Sequence, residues 1–179
     1  MKLLVVLGSV RAGRAGQNVA DWFNKIAKQH ADVEFVDLKE LALPLEMEET
    51  LPSAVNDFSY SSKETKAWSD KVEAADAVVF IHPEYNHSIS APLKNAIDHI
   101  YHEWNGKPLG LVSYGASGGG DAADHIKWIG KFTKWEVVEP RVSISQIWAA
   151  FDEDGNLAGS DEHTAEAEKM LQSLESKVQ

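Results

Sequence analysis

The chain has 179 residues, of which 44% are hydrophobic and 25% are charged, a composition typical of one globular domain. Its 28 acidic residues outnumber its 17 basic residues and give a formal net charge of -11, so the surface as a whole would repel nucleic acids and anionic membranes. There is no cysteine, which excludes disulfides, thiolate catalysis and cysteine-ligated metal clusters, so any redox chemistry has to come from a cofactor.

Five strand-like runs alternate with helical patterns along the chain. The runs are short and mostly apolar on both faces, which is typical of a parallel sheet that is covered on both sides. They lie at residues 3–7, 33–38, 77–81, 109–114 and 137–147. Apolar residues at helical spacing predict helices around residues 19–30, 93–104, 122–129 and 167–178.

Ser61 and Glu64 have the spacing of a capping box, which predicts the start of a further helix that carries Trp68, Val72 and Ala75. The alternation of strands and helices predicts one α/β domain over residues 1–179. We expect a doubly wound, five-stranded parallel sheet in the order 2-1-3-4-5, with helices on both faces.

In that strand order the chain reverses direction between the first and third strands, and ligands bind above the carboxyl ends of the strands at such a point. The loops at residues 8–18 and 82–90 are therefore expected to meet there, with the loop at residues 115–120 alongside.

The first of these loops, GSVRAGRAGQN at residues 8–18, almost matches the phosphate-binding P-loop. Arg14 and Ala15 stand where that motif needs a lysine and a magnesium-binding hydroxyl, which excludes a nucleoside triphosphatase. Backbone N–H groups, the Ser9 hydroxyl and the Arg11 guanidinium could still surround one monophosphate at the N-terminus of the next helix. A plain turn with solvent-facing arginines is the alternative.

The second loop opens the stretch HPEYNHSISAPLKNAID at residues 82–98. Glu84, Tyr85 and Asn86 follow the third strand directly, where an aromatic ring and amide groups could flank a flat heteroaromatic ligand. An ordinary connection with Ser90 capping the next helix explains the same residues.

The third loop, SYGASGGGD at residues 113–121, contains the G-x-S-x-G pattern of a nucleophile elbow around Ser117. Asp152, Asp154 and His163 follow in the chain order of α/β-hydrolases, so a serine hydrolase is an alternative function. The acidic stretch that would supply these partners is typical of a solvated turn. A glycine-rich loop that offers amides to a planar ligand explains the loop equally well.

Other candidate features point to structure rather than chemistry. His99, His102 and Glu103 have helical spacing but lack the H-E-x-x-H motif, so we expect exposed histidines and no metal site. The apolar residues at 148–151 are expected in the core rather than at a subunit interface. No apolar stretch reaches the ~20 residues that span a bilayer, and the N-terminus lacks a signal-peptide pattern, so we expect a cytoplasmic protein.

Together the three loops resemble the NAD(P)H-dependent FMN reductase family, which includes azobenzene, quinone and chromate reductases. The motifs that carry the resemblance are G-S-x-R, P-E-Y-N with the downstream L-K-N-A-I-D, and S-Y-G-x-S-G-G, and they cover residues 3–143. The resemblance implies a flavodoxin-like fold, a tightly held FMN and NADPH or NADH as the electron donor. It also implies a homodimer or homotetramer with the flavin near a subunit interface.

The same resemblance implies which residues bind the cofactor. The phosphate would be held by Ser9, Arg11, Gln17 and Asn18, in a loop that includes Gly16. The isoalloxazine would be lined by Pro83, Glu84, Tyr85 and Asn86, and its other edge closed by Ser113, Tyr114, Gly115, Ser117 and Gly118.

Two positions depart from the family pattern. Many members carry a serine or threonine where this chain has Gly16, so one hydroxyl contact is missing, and Arg14 is expected to replace it. Members often carry P-G where this chain has Ser90 and Ala91, at the mouth of the pocket.

The sequence therefore predicts an oxidoreductase that passes hydride from a nicotinamide to bound FMN. Electrons then pass to a small-molecule acceptor, which is a quinone, a flavin, an azo compound or a metal oxyanion. No side chain has to act as an obligatory acid or base, because the flavin carries the chemistry. The alternatives are a serine hydrolase that uses Ser117 and a flavodoxin-type electron carrier without NAD(P)H turnover.

Overall fold

A computed structural model describes residues 1–178 and places strands and helices in strict alternation over most of the chain. The strands are β1 (Lys2–Leu7), β2 (Asp32–Asp37), β3 (Ala77–Pro83), β4 (Pro108–Tyr114), β5 (Glu136–Val137) and β6 (Val142–Ile144). The α-helices are α1 (Gly16–Ala27), α2 (Leu38–Leu41), α3 (Lys63–Ala74), α4 (Ala91–Asp98), α5 (Gly120–Thr133) and α6 (Ser160–Val178). None of the helices in this part of the chain combines the length and the apolar character needed to cross a membrane.

The strands form one parallel sheet in the order β2-β1-β3-β4-β5, with β6 also paired to β4. This confirms the predicted flavodoxin-like order and the reversal of direction between β1 and β3. Every residue of β3 and β4 is buried, because helices cover both faces of the sheet, as its apolar runs require.

The predicted fifth strand at residues 137–147 is wrong as one continuous element. Val137 pairs with Leu109, and Val142 pairs with Val112. The edge strand therefore advances five residues, from 137 to 142, while β4 advances three, from 109 to 112. Pro140 lies inside this interval and has no N–H to give to the ladder. The edge strand therefore bulges out and resumes as β6.

Two hydrophobic layers flank the sheet. Helices α1 and α6 pack on one face, around Phe23 and Leu171, and helices α3, α4 and α5 pack on the other. The second layer holds an aromatic cluster in which ring centroids lie 5.7–6.1 Å apart. The cluster consists of Trp68, Phe80, Trp104 and Trp135.

Two helix boundaries differ from the prediction. The N-cap of α3 is Ser62, whose hydroxyl accepts a hydrogen bond from Thr65 N–H at 3.2 Å, whereas Ser61 binds the Glu48 carboxylate. The helix predicted at residues 93–104 is shorter in the structure, because α4 ends at Asp98. A separate 3₁₀ turn at His102–Trp104 then places Trp104 in the core.

The expectation of exposed histidines around residue 100 is wrong for His99, which is buried. Its Nδ1 lies 2.9 Å from the Thr65 hydroxyl and its Nε2 lies 2.8 Å from the Pro44 carbonyl oxygen. Glu103 is also buried and accepts hydrogen bonds from the hydroxyls of Tyr60 and Ser69. These polar groups therefore join the loop before α3 to the helices that cover the sheet.

Candidate functional site

A cleft of about 330 Å³ opens at the carboxyl ends of β1, β3 and β4, within the size range of small-molecule sites. The fold brings all three predicted loops to it. Predicted site residues that line the cleft are Ser9, Arg11, Pro83, Glu84, Tyr85, Tyr114 and Gly115. Gly13, Arg14, Ala15, Ala116, Ile147 and Trp148 line it as well.

The loop after β1 is anchored by a buried ion pair. The guanidinium of Arg14 binds both carboxylate oxygens of Asp37 at the end of β2, and the two side chains are only 12% and 5% exposed. Arg14 also donates a hydrogen bond to the carbonyl oxygen of Ser9. Because its charge is already matched, Arg14 is not available to replace the missing hydroxyl at Gly16, and that expectation is wrong.

The loops after β1 and β3 meet at Tyr85. The hydroxyls of Ser9 and Tyr85 lie 3.2 Å apart, and the guanidinium carbon of Arg11 lies 5.0 Å from the centre of the Tyr85 ring. Arg11 is exposed, unlike Arg14, so it is the cation of this loop that can meet an anionic ligand.

The P-E-Y-N motif forms a tight hairpin turn. Tyr85 and Ser88 exchange backbone hydrogen bonds of 2.8 and 3.0 Å, and the two residues between them, Asn86 and His87, have φ of 50° and 61°. These are the left-handed angles of a type I′ turn, which asparagine tolerates better than histidine does. Asn86 therefore shapes the turn and does not line the cleft.

His87 joins this hairpin to α5. Its Nδ1 contacts the carboxylate of Asp121, and Glu84 lies 4.0 Å away. The hydrogen bond with Asp121 raises the pKa of His87, and the charges of Asp121 and Glu84 raise it further. The imidazolium form therefore persists to a higher pH than it does in an unperturbed histidine.

Glu84 caps the N-terminus of α5 from a different loop. Its Oε2 accepts hydrogen bonds from the backbone N–H groups of Asp121 and Ala122, at 3.0 and 3.3 Å. The N-cap residue of α5 is Gly119, which has no side chain to do this. The carboxylate predicted to line the flavin thus holds the second and third loops together.

The third loop is held by hydroxyls of two serines that do not line the cleft. Ser113 donates to the carbonyl oxygen of Gly118 at 2.6 Å, and Ser143 on β6 donates to the same oxygen at 3.1 Å. Gly118 has a φ of 80°, and a Cβ there would overlap the Ser143 hydroxyl. Ser113 and Gly118 therefore set the path of the loop rather than its contact surface.

A catalytic triad around Ser117 is not assembled. Ser117 is exposed, and its hydroxyl bonds to no histidine within residues 1–178. Asp152 accepts hydrogen bonds from Asn156 and Asp154 in its own turn, while His163 lies 3.4 Å from Glu166. The nucleophile-elbow interpretation lacks the hydrogen-bonded base that it requires.

Gln17 and Asn18 lie on the first turn of α1 but do not line the cleft. The Gln17 amide donates to Asp21 at 3.0 Å and Asn18 is exposed. Gly16, the first residue of α1, packs directly against the ring of Tyr114. Of residues 15–18, only Ala15 lines the cleft, and the role of Gln17 and Asn18 in binding the phosphate stays a prediction.

The prediction that residues 148–151 lie in the core is wrong for Trp148, which is 72% exposed and lines the cleft. The two residues before Trp148 are fixed to the third loop by backbone hydrogen bonds, from Gln146 N–H to the Ala116 carbonyl oxygen and from Ile147 N–H to the Gly115 carbonyl oxygen. The sequence did contain a hint of this placement. Ile147 and Trp148 directly follow the edge strand, which lies next to β4 in the sheet, so they come out beside the S-Y-G loop that follows β4.

His82 lies buried behind Pro83. Burial lowers the pKa of His82 to about 4, against a small opposing contribution from its hydrogen bond with the Pro83 carbonyl oxygen. Its imidazole is therefore neutral near pH 7 and adds no charge to the cleft.

The residues present fit a ligand that combines an anionic group with a flat ring. The N-cap residue of α1, Ala15, gives the helix no side-chain cap, so backbone donors remain for an anion beside Arg11. Pro83, Tyr85 and Trp148 supply the apolar walls that a planar ring needs.

Comparison with known proteins adds sequence relatives. A family model described as NADPH-dependent FMN reductase matches residues 1–149. An NAD(P)H-dependent FMN reductase of Schizosaccharomyces pombe is 46% identical over 138 residues, which cover 76% of this chain and 68% of the relative. An NADPH:quinone oxidoreductase of Arabidopsis thaliana is 35% identical over 149 residues, which cover 78% of this chain and 70% of the relative.

A solved structure supports the fold assignment. The flavoenzyme NAD(P)H:(acceptor) oxidoreductase of Paracoccus denitrificans superposes with a TM-score of 0.79 at 23% sequence identity. The match covers 98% of each chain, so it includes α6 as well as the region of the sequence motifs.

We expect Arg14→Ala to lower the free energy of unfolding by about 3–5 kcal/mol, because it leaves the Asp37 carboxylate buried without its partner. The double variant Arg14→Ala with Asp37→Asn should be more stable than Arg14→Ala alone. The asparagine removes the charge but keeps an oxygen for the Lys39 N–H. Urea unfolding of the FMN-free protein measures both values.

The matched control is Arg11→Ala, which removes an exposed arginine from the same loop and should change stability by about 0.5 kcal/mol or less. Equal losses for Arg14→Ala and Arg11→Ala would show that the ion pair does not anchor the loop.

We expect the imidazole of His87 to titrate above the ordinary value of 6.5. Because the pKa of His87 is raised in the folded state, the contact between the imidazolium and Asp121 stabilises the fold. This contribution is fully present below about pH 6.5 and is lost as the pH rises through the raised pKa. An NMR titration of the His87 ring protons should show the pKa falling towards 6.5 in Asp121→Asn. Asp124→Asn, on the same helix, should leave it unchanged, and a titration insensitive to Asp121 would rule out this contact.

Proposed function

We propose, from the premise that this chain belongs to the NADPH-dependent FMN reductase family, that its cleft holds FMN and serves the reduction of a quinone. The protein is an oxidoreductase that uses FMN and takes its electrons from NAD(P)H. The observation that carries the proposal is the cleft itself, which joins an anion-binding helix start to apolar walls at the switch point of the sheet.

The phosphate would be held by the start of α1 together with Ser9 and Arg11, and the ring would lie against Pro83, Tyr85, Gly115 and Trp148. When bound, FMN supplies the ability to accept a hydride from NAD(P)H and to return electrons to an acceptor. The chain contributes position: Arg11 attracts the anionic group, and the aromatic walls exclude water and orient flat molecules.

A quinone suits this cleft because it is small, planar and uncharged. Trp148 and Tyr85 present large ring surfaces at the cleft, and flat molecules stack on such surfaces. The Arabidopsis thaliana relative, named for quinone reduction, supports the same choice. Free flavin, azo compounds and metal oxyanions are the alternative acceptors.

Neither alternative class of function is favoured. A serine hydrolase needs a base beside Ser117, which the described residues do not provide. A simple electron carrier needs no nicotinamide donor, whereas the matching family is described as NADPH-dependent.

We also infer that residues 1–179 work as one FMN-binding domain. Helix α6 lies beyond the matched residues 1–149, yet Met170 and Leu174 pack against Gly110 in the central strand β4. Location in the cytoplasm stays a prediction from the sequence.

We infer further that two copies of the chain associate through α5. Trp128 and Phe132 on this helix are 65% and 68% exposed, and they border an apolar groove that extends to α4 and Leu51. Lys94 and Asp98 at the polar rim of the groove form an ion pair with each other. Their charges cancel, so this part of the rim would not cause repulsion between two copies of the chain.

We expect the purified protein to be yellow, or to become yellow when it is titrated with FMN. Anaerobic addition of NADH or NADPH should bleach the flavin absorbance, and a quinone should restore it. Steady-state rates with a quinone, free flavin, an azo dye and chromate then rank the acceptors. A protein that takes up no FMN, or a flavin that NAD(P)H does not bleach, contradicts the proposal. Labelling by a fluorophosphonate probe at Ser117 would favour the hydrolase.

We expect Trp128→Glu to convert a dimer into a monomer, since it places a charge in the apolar surface that the second copy would cover. Light scattering during size-exclusion chromatography measures the mass. The control is Lys127→Gln, which lowers the net charge by the same amount at the neighbouring position of α5. This variant should still have the mass of a dimer. A Trp128→Glu protein that stays dimeric would place the interface elsewhere.

A further inference from the structure

One buried hydroxyl at the cleft has no partner. Tyr114 ends β4 and is only 4% exposed, yet its hydroxyl makes no hydrogen bond with any residue from 1 to 178. Ser9 lies nearby, and the hydrogen-bond partner of its hydroxyl is the Tyr85 hydroxyl, at 3.2 Å. Buried donors without an acceptor are few in native proteins because they are costly. An acceptor from outside the chain is the simplest explanation.

The unpartnered hydroxyl is directed at the N-terminus of α1. A Cβ on Gly16, the first residue of that helix, would overlap the Tyr114 hydroxyl and would stand 3.0 Å from its Cζ. Only glycine at position 16 leaves room for the phenol. The N-cap residue, Ala15, makes no side-chain hydrogen bond to α1, so the phenol lies beside a helix start whose backbone donors have no side-chain cap.

We propose that Tyr114 is a ligand of the FMN phosphate, to which its buried hydroxyl donates a hydrogen bond beside the N-terminus of α1. This inference rests on the proposed function, because it takes FMN as the ligand of the cleft. It differs from the sequence-based expectation, in which Tyr114 closes the edge of the flavin ring.

The ionisation state of the phenol suits this role. Burial raises the pKa of Tyr114, and the neighbouring Tyr85 raises it further. The polar contact with Ser9 and the charges of Arg14 and Arg11 act in the opposite direction but do not cancel that effect. The hydroxyl therefore stays protonated near neutral pH, where a phosphate is an acceptor. Arg11 supplies the charge in this site and Tyr114 supplies a fixed, uncharged donor.

The proposal also explains Gly16. A serine or threonine at this position would add a hydroxyl to the first turn of α1, but its Cβ would collide with Tyr114. Gly16 and Tyr114 thus form a pair in which β4 supplies the hydroxyl that α1 lacks. Arg14 cannot take this part, because Asp37 already holds its guanidinium.

The test compares FMN with riboflavin, which has the same ring and no phosphate. Dissociation constants come from the quenching of flavin fluorescence on titration into flavin-free protein. Tyr114→Phe should weaken FMN binding about tenfold or more, the effect of removing one hydrogen bond to a charged group. Riboflavin binding should change about twofold or less, because the ring contacts of the side chain remain.

The matched control is Tyr60→Phe, which removes a buried hydroxyl that bonds to Glu103 in the other layer of the fold. It should leave the ratio of FMN affinity to riboflavin affinity unchanged. Gly16→Ala should lower the same ratio by displacing the phenol, and its effect should not add to that of Tyr114→Phe, because both act on one contact.

The outcomes separate this inference from the proposed function. A wild-type protein that binds neither FMN nor riboflavin contradicts the proposed function. If the wild-type protein binds FMN, then equal losses of FMN and riboflavin in Tyr114→Phe would place the tyrosine at the ring and overturn the inference. An unchanged ratio in Tyr114→Phe, or fully additive effects with Gly16→Ala, would overturn it as well.

Discussion

The cleft depends on one constraint, that a buried parallel sheet ends its three central strands at the same edge. Strands β1, β3 and β4 are adjacent and parallel, so the loops that follow them must leave side by side. The reversal of the chain between β1 and β3 sends α1 to one face and α4 to the other, which opens a gap above the sheet. The remaining features of the site shape that gap.

Each loop at the gap is fixed by a polar contact that reaches outside the loop. Arg14 ties the first loop to β2 through Asp37, Glu84 ties the second to the start of α5, and Ser143 ties the third to β6. Buried and partly buried contacts of this kind limit the conformations that a loop can adopt. The chain therefore prepares the position of its ligand before the ligand arrives, which reduces the entropy lost on binding.

The cleft combines a local positive charge with an acidic protein surface. The protein carries a net charge of -11, yet it has to attract phosphate-bearing molecules to this edge of the sheet. Of the two arginines in the first loop, Arg14 is neutralised by Asp37 and Arg11 is left exposed over the cleft. One local cation, the start of α1 and the neutral phenol of Tyr114 make this place favourable for an anion although the whole surface is acidic.

The sequence by itself determined the strand order, the three loops that meet and the family, because apolar periodicity and short motifs are local properties of the chain. Only the tertiary structure decided which side chains line the cleft and what each of them contacts. It made Glu84 a cap for α5, bonded Ser113 to its own loop, paired Arg14 with Asp37, brought Trp148 to the cleft and set the Tyr114 hydroxyl against Gly16. It also divided the edge strand at Pro140. Such outcomes depend on distances between residues that are far apart in the chain, and a local pattern does not contain those distances.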